Sequence, residues 1–62
     1  METPNIQQKR EGKILLTDDE KTTREILARG LIAQGFDVKT ASNGFEALEM
    51  IQIEPFDLLI TD

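Results

Sequence analysis

Carboxylates that follow two short apolar runs are the residues of this chain best suited to chemistry. Asp18 and Asp19 come directly after residues 13–17, and Asp62 comes directly after residues 57–61. Each run is rich in Leu and Ile and ends in Thr-Asp, a pattern typical of a strand buried on both faces of a parallel sheet. Open α/β sheets carry their sites at the carboxyl ends of such strands. We therefore expect Asp18, Asp19 and Asp62 to lie at one sheet edge, where three carboxylates need a cation.

Simpler roles exist for the same acidic residues. Asp18, Asp19 and Glu20 could supply negative charge to the start of the first helix, where it interacts favourably with the helix dipole. Asp62 alone could be a turn residue that ends a strand. Two adjacent aspartates are more than a helix cap requires, so we favour a metal site formed with Asp62, and we interpret Glu20 as a solvated residue rather than a ligand.

Composition excludes several classes of function. The chain has 62 residues, a net charge of -5, no cysteine and no histidine. An acidic chain lacks the basic surface needed to bind nucleic acid directly, and without Cys or His any chemistry must use carboxylates. No apolar run is long enough to span a membrane, and no secretory signal is present, which predicts a cytoplasmic protein.

The chain begins with a predicted flexible leader, residues 1–12, followed by a strand and a helix. The spacing predicts a helix over about residues 21–34 that is capped by Thr22 with Glu25, and Gly35 ends it. Its predicted buried face carries apolar residues at helical spacing, and Ala28 is expected to lie away from that face. The members of the buried face are Ile26, Leu27, Gly30 and Leu31.

The second half of the chain repeats the order of strand and helix. Residues 36–41 alternate apolar and charged side chains, as an edge strand does, which places the first strand between its neighbours. Asn43 is predicted to cap a helix over residues 44–53, which Pro55 ends. A third strand is expected to begin at residue 56 or 57. We expect this second helix to bury Ala47, Leu48 and Ile51.

Alternating strands and helices predict right-handed parallel crossovers in a doubly wound α/β sheet. An open sheet of three strands buries too little apolar surface to be stable by itself. We therefore expect residues 13–62 to be part of a larger fold, or to be completed by another copy or a partner.

Several motifs together resemble the receiver domain of two-component response regulators. They are Ile14-Leu15-Leu16-Thr17-Asp18-Asp19-Glu20, Gly35-Phe36-Asp37-Val38, Ala41-Ser42-Asn43-Gly44, Glu46-Ala47-Leu48 and Pro55-Phe56-Asp57-Leu58-Leu59-Ile60-Thr61-Asp62. The resemblance implies a flavodoxin-like, receiver-type doubly wound parallel sheet, truncated to a strand-helix-strand-helix-strand unit. The matching residues, about 12–62, correspond to the amino-terminal part of that domain, so this chain alone is expected to be incomplete for activity.

The resemblance also implies roles for the acidic residues. Asp62 matches the aspartate that accepts a phosphoryl group, and Asp18 and Asp19 match the pair that holds Mg²⁺, with Asp62 as a further metal ligand. The implied partners are a sensor histidine kinase or phosphotransfer protein and a downstream output domain. Such a chain is a phosphoacceptor signalling domain rather than a turnover enzyme.

Two other hypotheses stay open from the sequence. The chain could be a non-catalytic half-domain that forms a homo-oligomer through the open edge of its third strand. It could also be a different metal-dependent phosphoryl-transfer enzyme that uses the same acidic edge. That second hypothesis requires a general acid or base, which the sequence does not offer.

Overall fold

A computed structural model describes residues 12–61 of the chain. The predicted leader, apart from Gly12, and the predicted phosphoacceptor Asp62 lie outside the described residues. The elements follow one another as β1 (Lys13–Thr17), α1 (Lys21–Ala33), β2 (Asp37–Ala41), α2 (Gly44–Ile53) and β3 (Leu58–Thr61). All strand pairs are parallel, which confirms the predicted α/β arrangement. Neither helix of this part of the chain is long and apolar enough to cross a membrane.

β1 is the central strand of the sheet, whose order is β2-β1-β3. Its residues Leu15 and Leu16 are completely buried, because neighbouring strands flank β1 on both sides and both helices pack against it. Leu15 packs in a cluster with Ala41 and Ala47. β1 is central and β2 lies at an edge, as predicted. The apolar run of β3 also predicted burial on both faces, and this was wrong for the described residues: among residues 12–61 β3 pairs with β1 alone, and Leu58 and Leu59 are exposed.

α1 begins at Lys21 and is capped by Glu20, not by Thr22 as predicted. The Glu20 carboxylate accepts a hydrogen bond from the backbone N–H of Thr23 at 3.1 Å. Because only three residues separate β1 from α1, Thr22 already lies inside the first helical turn and cannot serve as the cap. Glu25 forms an ion pair with Lys21, 3.1 Å long, instead of returning to a cap residue.

The buried side of α1 was also predicted wrongly. Ala28 is the buried residue of this helix, whereas Ile26 and Leu27 are 64% and 45% exposed. Leu31 is half-buried and Gly30 is exposed. The small side chain of Ala28 permits α1 to approach the sheet closely. The apolar stripe of α1 is wider than the sheet surface within residues 12–61, so part of the stripe stays exposed.

Gly35 ends α1, as predicted, and its backbone is in the left-handed conformation. Gly35 has φ +101°, a conformation that residues with a Cβ rarely adopt. Its N–H donates to the carbonyl of Ile32 at 2.9 Å, and the N–H of Phe36 donates to the carbonyl of Leu31 at 3.2 Å. These two bonds form a Schellman motif, which turns the chain toward β2.

α2 has the predicted bounds and the predicted cap. The side chain of Asn43 accepts a hydrogen bond from the N–H of Glu46 at 2.8 Å. Ala47 is buried as expected, but Leu48 and Ile51 are 55% and 42% exposed, so their predicted burial was wrong. Both line an open apolar groove beside Leu59 of β3. No element of residues 12–61 covers that groove.

Polar contacts tie the start of β3 to the start of β1. Lys13 and Asp57 exchange two hydrogen bonds: the N–H of Lys13 donates to the Asp57 carboxylate, and the N–H of Asp57 donates to the Lys13 carbonyl, both at 2.8 Å. The ammonium of Lys13 pairs with Glu54, which also lies 3.5 Å from the Lys39 ammonium. The hydrogen bond between Lys13 and Glu54 raises the pKa of Lys13 and lowers the pKa of Glu54. These contacts fix the approach of β3 to the sheet.

Candidate functional site

An acidic cleft lies at the carboxyl ends of the three strands. Its volume is about 230 Å³. The residues that line it come from the ends of β1 and β3, from the loops after β1 and β2 and from the start of α2: Thr17, Asp18, Asp19, Ser42, Asn43, Gly44 and Thr61. The cleft therefore lies where an open parallel sheet is expected to carry its site.

The register of the sheet determines which residues reach this edge. Thr17 is the last residue of β1 and pairs with Ala41 of β2 on one side and with Thr61 of β3 on the other. The chain thus leaves all three strands at the same level. Asp62, the predicted phosphoacceptor, follows Thr61 in the sequence and lies outside the described residues.

Asp18 is buried and firmly held. Its side-chain Oδ1 accepts a hydrogen bond from the N–H of Glu20 at 2.9 Å, which leaves Oδ2 free of that contact. Its own N–H donates to the Ala41 carbonyl at 3.4 Å, and its carbonyl accepts from Nη1 of Arg24 at 2.7 Å. Asp18 also lines the cleft, and a carboxylate anchored in this way can bind a ligand at little further cost in side-chain entropy.

The other two acids of the loop differ from Asp18. Asp19 is exposed and lines the cleft beside Asp18. Glu20 is exposed too, but its Oε1 accepts from the N–H of Thr23 at 3.1 Å and from the Thr23 hydroxyl at 3.0 Å. Its carboxylate is therefore engaged in capping α1. Of the acidic residues within 12–61, Asp18 and Asp19 are the ones that line the cleft.

Thr17 is a site residue that the sequence analysis did not single out. The side chain is buried, and its Oγ1 has no hydrogen-bond partner among residues 12–61. An unsatisfied buried hydroxyl costs about 1–3 kcal/mol. A threonine at the end of an otherwise apolar strand was the available signal for a polar requirement at this position.

Ser42 and Asn43 were likewise not predicted as part of the site. Ser42 donates its N–H to Oε1 of Glu46 at 2.8 Å, while Asn43 caps α2, so the cleft wall formed by this loop is fixed by hydrogen bonds. The cap pattern of Asn43 and Glu46 was visible in the sequence, but its position beside Asp18 depends on the sheet.

The residues of the cleft fit a Mg²⁺ ion. Among residues 12–61 no three acidic side chains are grouped closely enough to hold a metal by themselves. Mg²⁺ prefers oxygen ligands, keeps several waters and commonly uses one or two carboxylates. The carboxylates of Asp18 and Asp19 carry oxygens of this kind. The Thr17 hydroxyl beside them has no hydrogen-bond partner among residues 12–61, which fits a polar group bound in the cleft.

Comparison with known families decides what kind of domain this is. The family described as "Response regulator receiver domain" matches residues 14–62. The chain belongs to this family. The element order and the parallel sheet of the receiver chain therefore correspond to a truncated flavodoxin-like receiver fold, as the resemblance implied. Receiver domains of response regulators act in two-component phosphorelay signalling.

The receiver chain is similar to parts of curated proteins that differ in length. The chain is 42% identical over its whole length to "Probable transcriptional regulator ycf27" of Cyanidium caldarium and covers 25% of that protein. Over 79% of the chain it is 45% identical to "Sensor protein EvgS" of Escherichia coli K12, covering 4% of it. Over 81% it is 42% identical to "Response regulator receiver protein CpdR" of Brucella abortus, covering 42%. The receiver chain thus spans less than half the length of each. No solved structure matches it.

Proposed function

We propose that this receiver chain contains the phosphoacceptor of a two-component phosphorelay, with Asp62 as the residue that receives the phosphoryl group. The observation that carries the proposal is the register of β1 and β3. Thr17 pairs with Thr61, so the residues that follow them leave adjacent strands at one edge, beside a cleft that already contains Asp18 and Asp19. The donor in this proposal is a sensor histidine kinase or a phosphotransfer protein.

The transfer needs a nucleophile and a means of bringing anions together. An oxygen of the Asp62 carboxylate attacks the phosphorus of a phosphohistidine, a P–O bond forms, the P–N bond breaks, and the imidazole leaves with the bonding electron pair. Mg²⁺, when bound, offsets the negative charge of the phosphoryl oxygens. In this proposal Asp18, Asp19 and Asp62 hold that ion.

Asp18 and its neighbours contribute preorganisation. The hydrogen bonds that hold Asp18 fix its carboxylate before any ligand arrives, and the loop of Ser42 and Asn43 forms a rigid opposite wall. Reacting groups that are already oriented lose less entropy in the transition state. The carboxyl edge therefore acts as a preformed receptor for a hydrated cation and a phosphoryl group.

The proposal extends to the setting of the domain. "Probable transcriptional regulator ycf27" suggests an output domain beyond the receiver region, and "Sensor protein EvgS" suggests that such a region also occurs within a sensor. We assign this chain a cytoplasmic location and a phosphohistidine-bearing partner. Its acidic net charge disfavours direct contact with nucleic acid.

Phosphoryl labelling of the intact protein tests the assignment of Asp62. With acetyl phosphate or the cognate kinase and Mg²⁺, the Asp62→Asn variant should lose labelling, and a chelator should abolish labelling of the wild type. Asp37→Asn is the matched control, because Asp37 is exposed at the opposite end of the sheet. Undiminished labelling of Asp62→Asn would remove Asp62 from this role.

Assembly through β3 is a second candidate function, favoured by the exposure of that strand. Leu58 and Leu59 are 53% and 45% exposed and, as consecutive strand residues, lie on opposite faces of the sheet. Among residues 12–61, β3 pairs with β1 alone. A second copy that adds a strand to this edge would pair with the backbone groups of β3 and place its own side chains beside Leu58 on one face and Leu59 on the other.

Measurements of size across protein concentrations test assembly. If a second copy covers β3, the molecular mass should rise with concentration, and Leu59→Lys should reduce the rise. Ile53→Lys is the control, because Ile53 is 81% exposed at the end of α2. A compact monomer that melts cooperatively at every concentration would count against this function.

A further inference from the structure

Arg24 contacts the acidic loop from outside the cleft. Its Nη1 donates a hydrogen bond to the carbonyl oxygen of Asp18 at 2.7 Å, and the side chain is half-buried. Its backbone N–H donates to the carbonyl of Glu20 at 3.0 Å. Arg24 therefore holds the loop between β1 and α1 through both its side chain and its main chain.

We propose that Arg24 is a positioning residue for the Mg²⁺-binding carboxylates of the receiver chain. This inference rests on the proposed function, since it assumes a cation in the cleft. Arg24 does not line the cleft itself. It acts through Asp18, whose carbonyl it fixes.

The contact constrains both aspartates. The peptide unit that joins Asp18 to Asp19 is planar, so an anchored Asp18 carbonyl sets the orientation of the whole unit and the position of the Asp19 Cα. The Asp18 side chain is bonded to the N–H of Glu20, which fixes the other side of the same turn. Without the guanidinium, the carbonyl loses a charge-assisted hydrogen bond and the turn gains freedom.

Arginine suits this position better than lysine. Its planar guanidinium offers five N–H donors in a fixed geometry, so less side-chain freedom is lost for each hydrogen bond formed. A lysine keeps the positive charge, but its ammonium group lies at the end of a flexible chain and has no fixed donor geometry. The substitution Arg24→Lys therefore separates the charge of Arg24 from its geometry.

Two possible roles of Arg24, as a repelling charge and as a positioning group, predict opposite changes in Mg²⁺ affinity when its guanidinium is removed. A positive charge near a cation site repels the cation, so the loss of that charge alone should tighten Mg²⁺ binding by about two- to five-fold. The loss of a group that orients metal ligands typically weakens binding by about 10–100-fold. The sign of the change in Arg24→Gln therefore decides between the two roles.

Calorimetric titration of the intact protein with MgCl₂ provides this measurement. We expect Arg24→Gln to bind Mg²⁺ at least about ten-fold more weakly than the wild type, and Arg24→Lys to fall between them. Arg29→Gln is the matched control, because it removes the same charge from an exposed position of the same helix. It should leave Mg²⁺ binding unchanged or slightly tighter. Circular dichroism and thermal melts establish that each variant is folded.

The outcomes separate this inference from the function on which it rests. If the wild type binds no Mg²⁺, the proposed metal site fails. If the wild type binds Mg²⁺ and Arg24→Gln binds it equally well or more tightly, the positioning role fails while the metal site stands. If Arg24→Gln does not fold, Arg24→Lys decides: weaker binding than the wild type supports the positioning role, and unchanged binding overturns it.

Discussion

Thr17 and Thr61 are register partners across the parallel ladder of β1 and β3. Each threonine is followed in the sequence by an aspartate. The pairing therefore brings Thr17 and Thr61, separated by 44 positions in the chain, to the same edge of one sheet, and Asp62 itself lies outside the described residues. Parallel pairing is essential to this result, since in an antiparallel pair the ends of the two strands would lie at opposite edges.

Mg²⁺ should stabilise the protein, and the effect should depend on Asp18. At a Mg²⁺ concentration ten times the Kd, binding to the folded state alone raises the free energy of unfolding by about 1.4 kcal/mol. Thermal melts with and without Mg²⁺ measure this shift. Asp18→Asn should remove it while preserving the fold, because the asparagine oxygen can still accept the bond from Glu20. Asp37→Asn is the control and should keep the stabilisation by Mg²⁺. The prediction would be contradicted if Mg²⁺ stabilised Asp18→Asn as much as the wild type, or did not stabilise Asp37→Asn.

Replacing Thr17 by valine should stabilise the protein in the absence of Mg²⁺. The substitution removes a buried hydroxyl that has no partner among residues 12–61 and keeps the shape of the side chain. We expect the free energy of unfolding to rise by about 1 kcal/mol in urea titrations. Thr40→Val, at an exposed position of β2, is the control and should change it by less than about 0.5 kcal/mol. Destabilisation by Thr17→Val would mean that the hydroxyl has a partner in solution.

The cap of α2 should contribute measurably to stability. Asn43→Ala removes the acceptor of the Glu46 N–H, whose bond is 2.8 Å long, and should lower the free energy of unfolding by about 1 kcal/mol. Asn43→Asp keeps an acceptor at the same place and should retain most of the stability. Equal stability of Asn43→Ala and the wild type in urea titrations would show that the cap is not needed to hold this wall of the cleft.

The ion pair between Lys13 and Glu54 should make stability depend on pH at both extremes. The bond to Lys13 lowers the pKa of Glu54, so its contribution is present above the ordinary value of 4.5 and is lost as pH falls through the lower, folded value. The bond to Glu54 raises the pKa of Lys13. That contribution is present below 10.5 and is lost as pH rises through the higher, folded value.

Thermal melts across pH test this ion pair. Glu54→Gln should melt at a lower temperature than the wild type near neutral pH, and the difference should shrink at acidic and at strongly alkaline pH. Glu49→Gln, which removes an exposed carboxylate from the same helix, is the control. A constant difference between wild type and Glu54→Gln at every pH would rule out the ion pair as its cause.

Local patterns were sufficient to predict most elements of the fold. The apolar run of β1 and the alternating side chains of β2 predicted a central and an edge strand. Asn43 and Gly35 marked helix ends at which the structure has a cap and a left-handed residue. The two helix ends depend on neighbouring residues only, because capping bonds and backbone φ are set within a few positions of the chain.

Burial of the helices could not be predicted in the same way. The apolar residues of α1 form a broad stripe, and the sequence does not state which part of it meets the sheet. Packing of the helix selects Ala28 and leaves Ile26 and Leu27 exposed. Likewise, Leu48 and Ile51 of α2 face a groove that nothing in residues 12–61 fills. The burial of a helix residue depends on the helix and on the surface that packs against it. The helix sequence describes only the helix.

By itself, the sequence determined which residue types could bind a cation, the order of the elements and the parallel sheet that joins them. Only the tertiary structure decided that the Asp18 carbonyl is held by Arg24 and that the hydroxyl of Thr17 is buried without a partner among residues 12–61. The reason is physical: both contacts depend on how a helix and two strands are oriented in space, and a hydrogen bond is lost when its atoms move apart by about 1 Å.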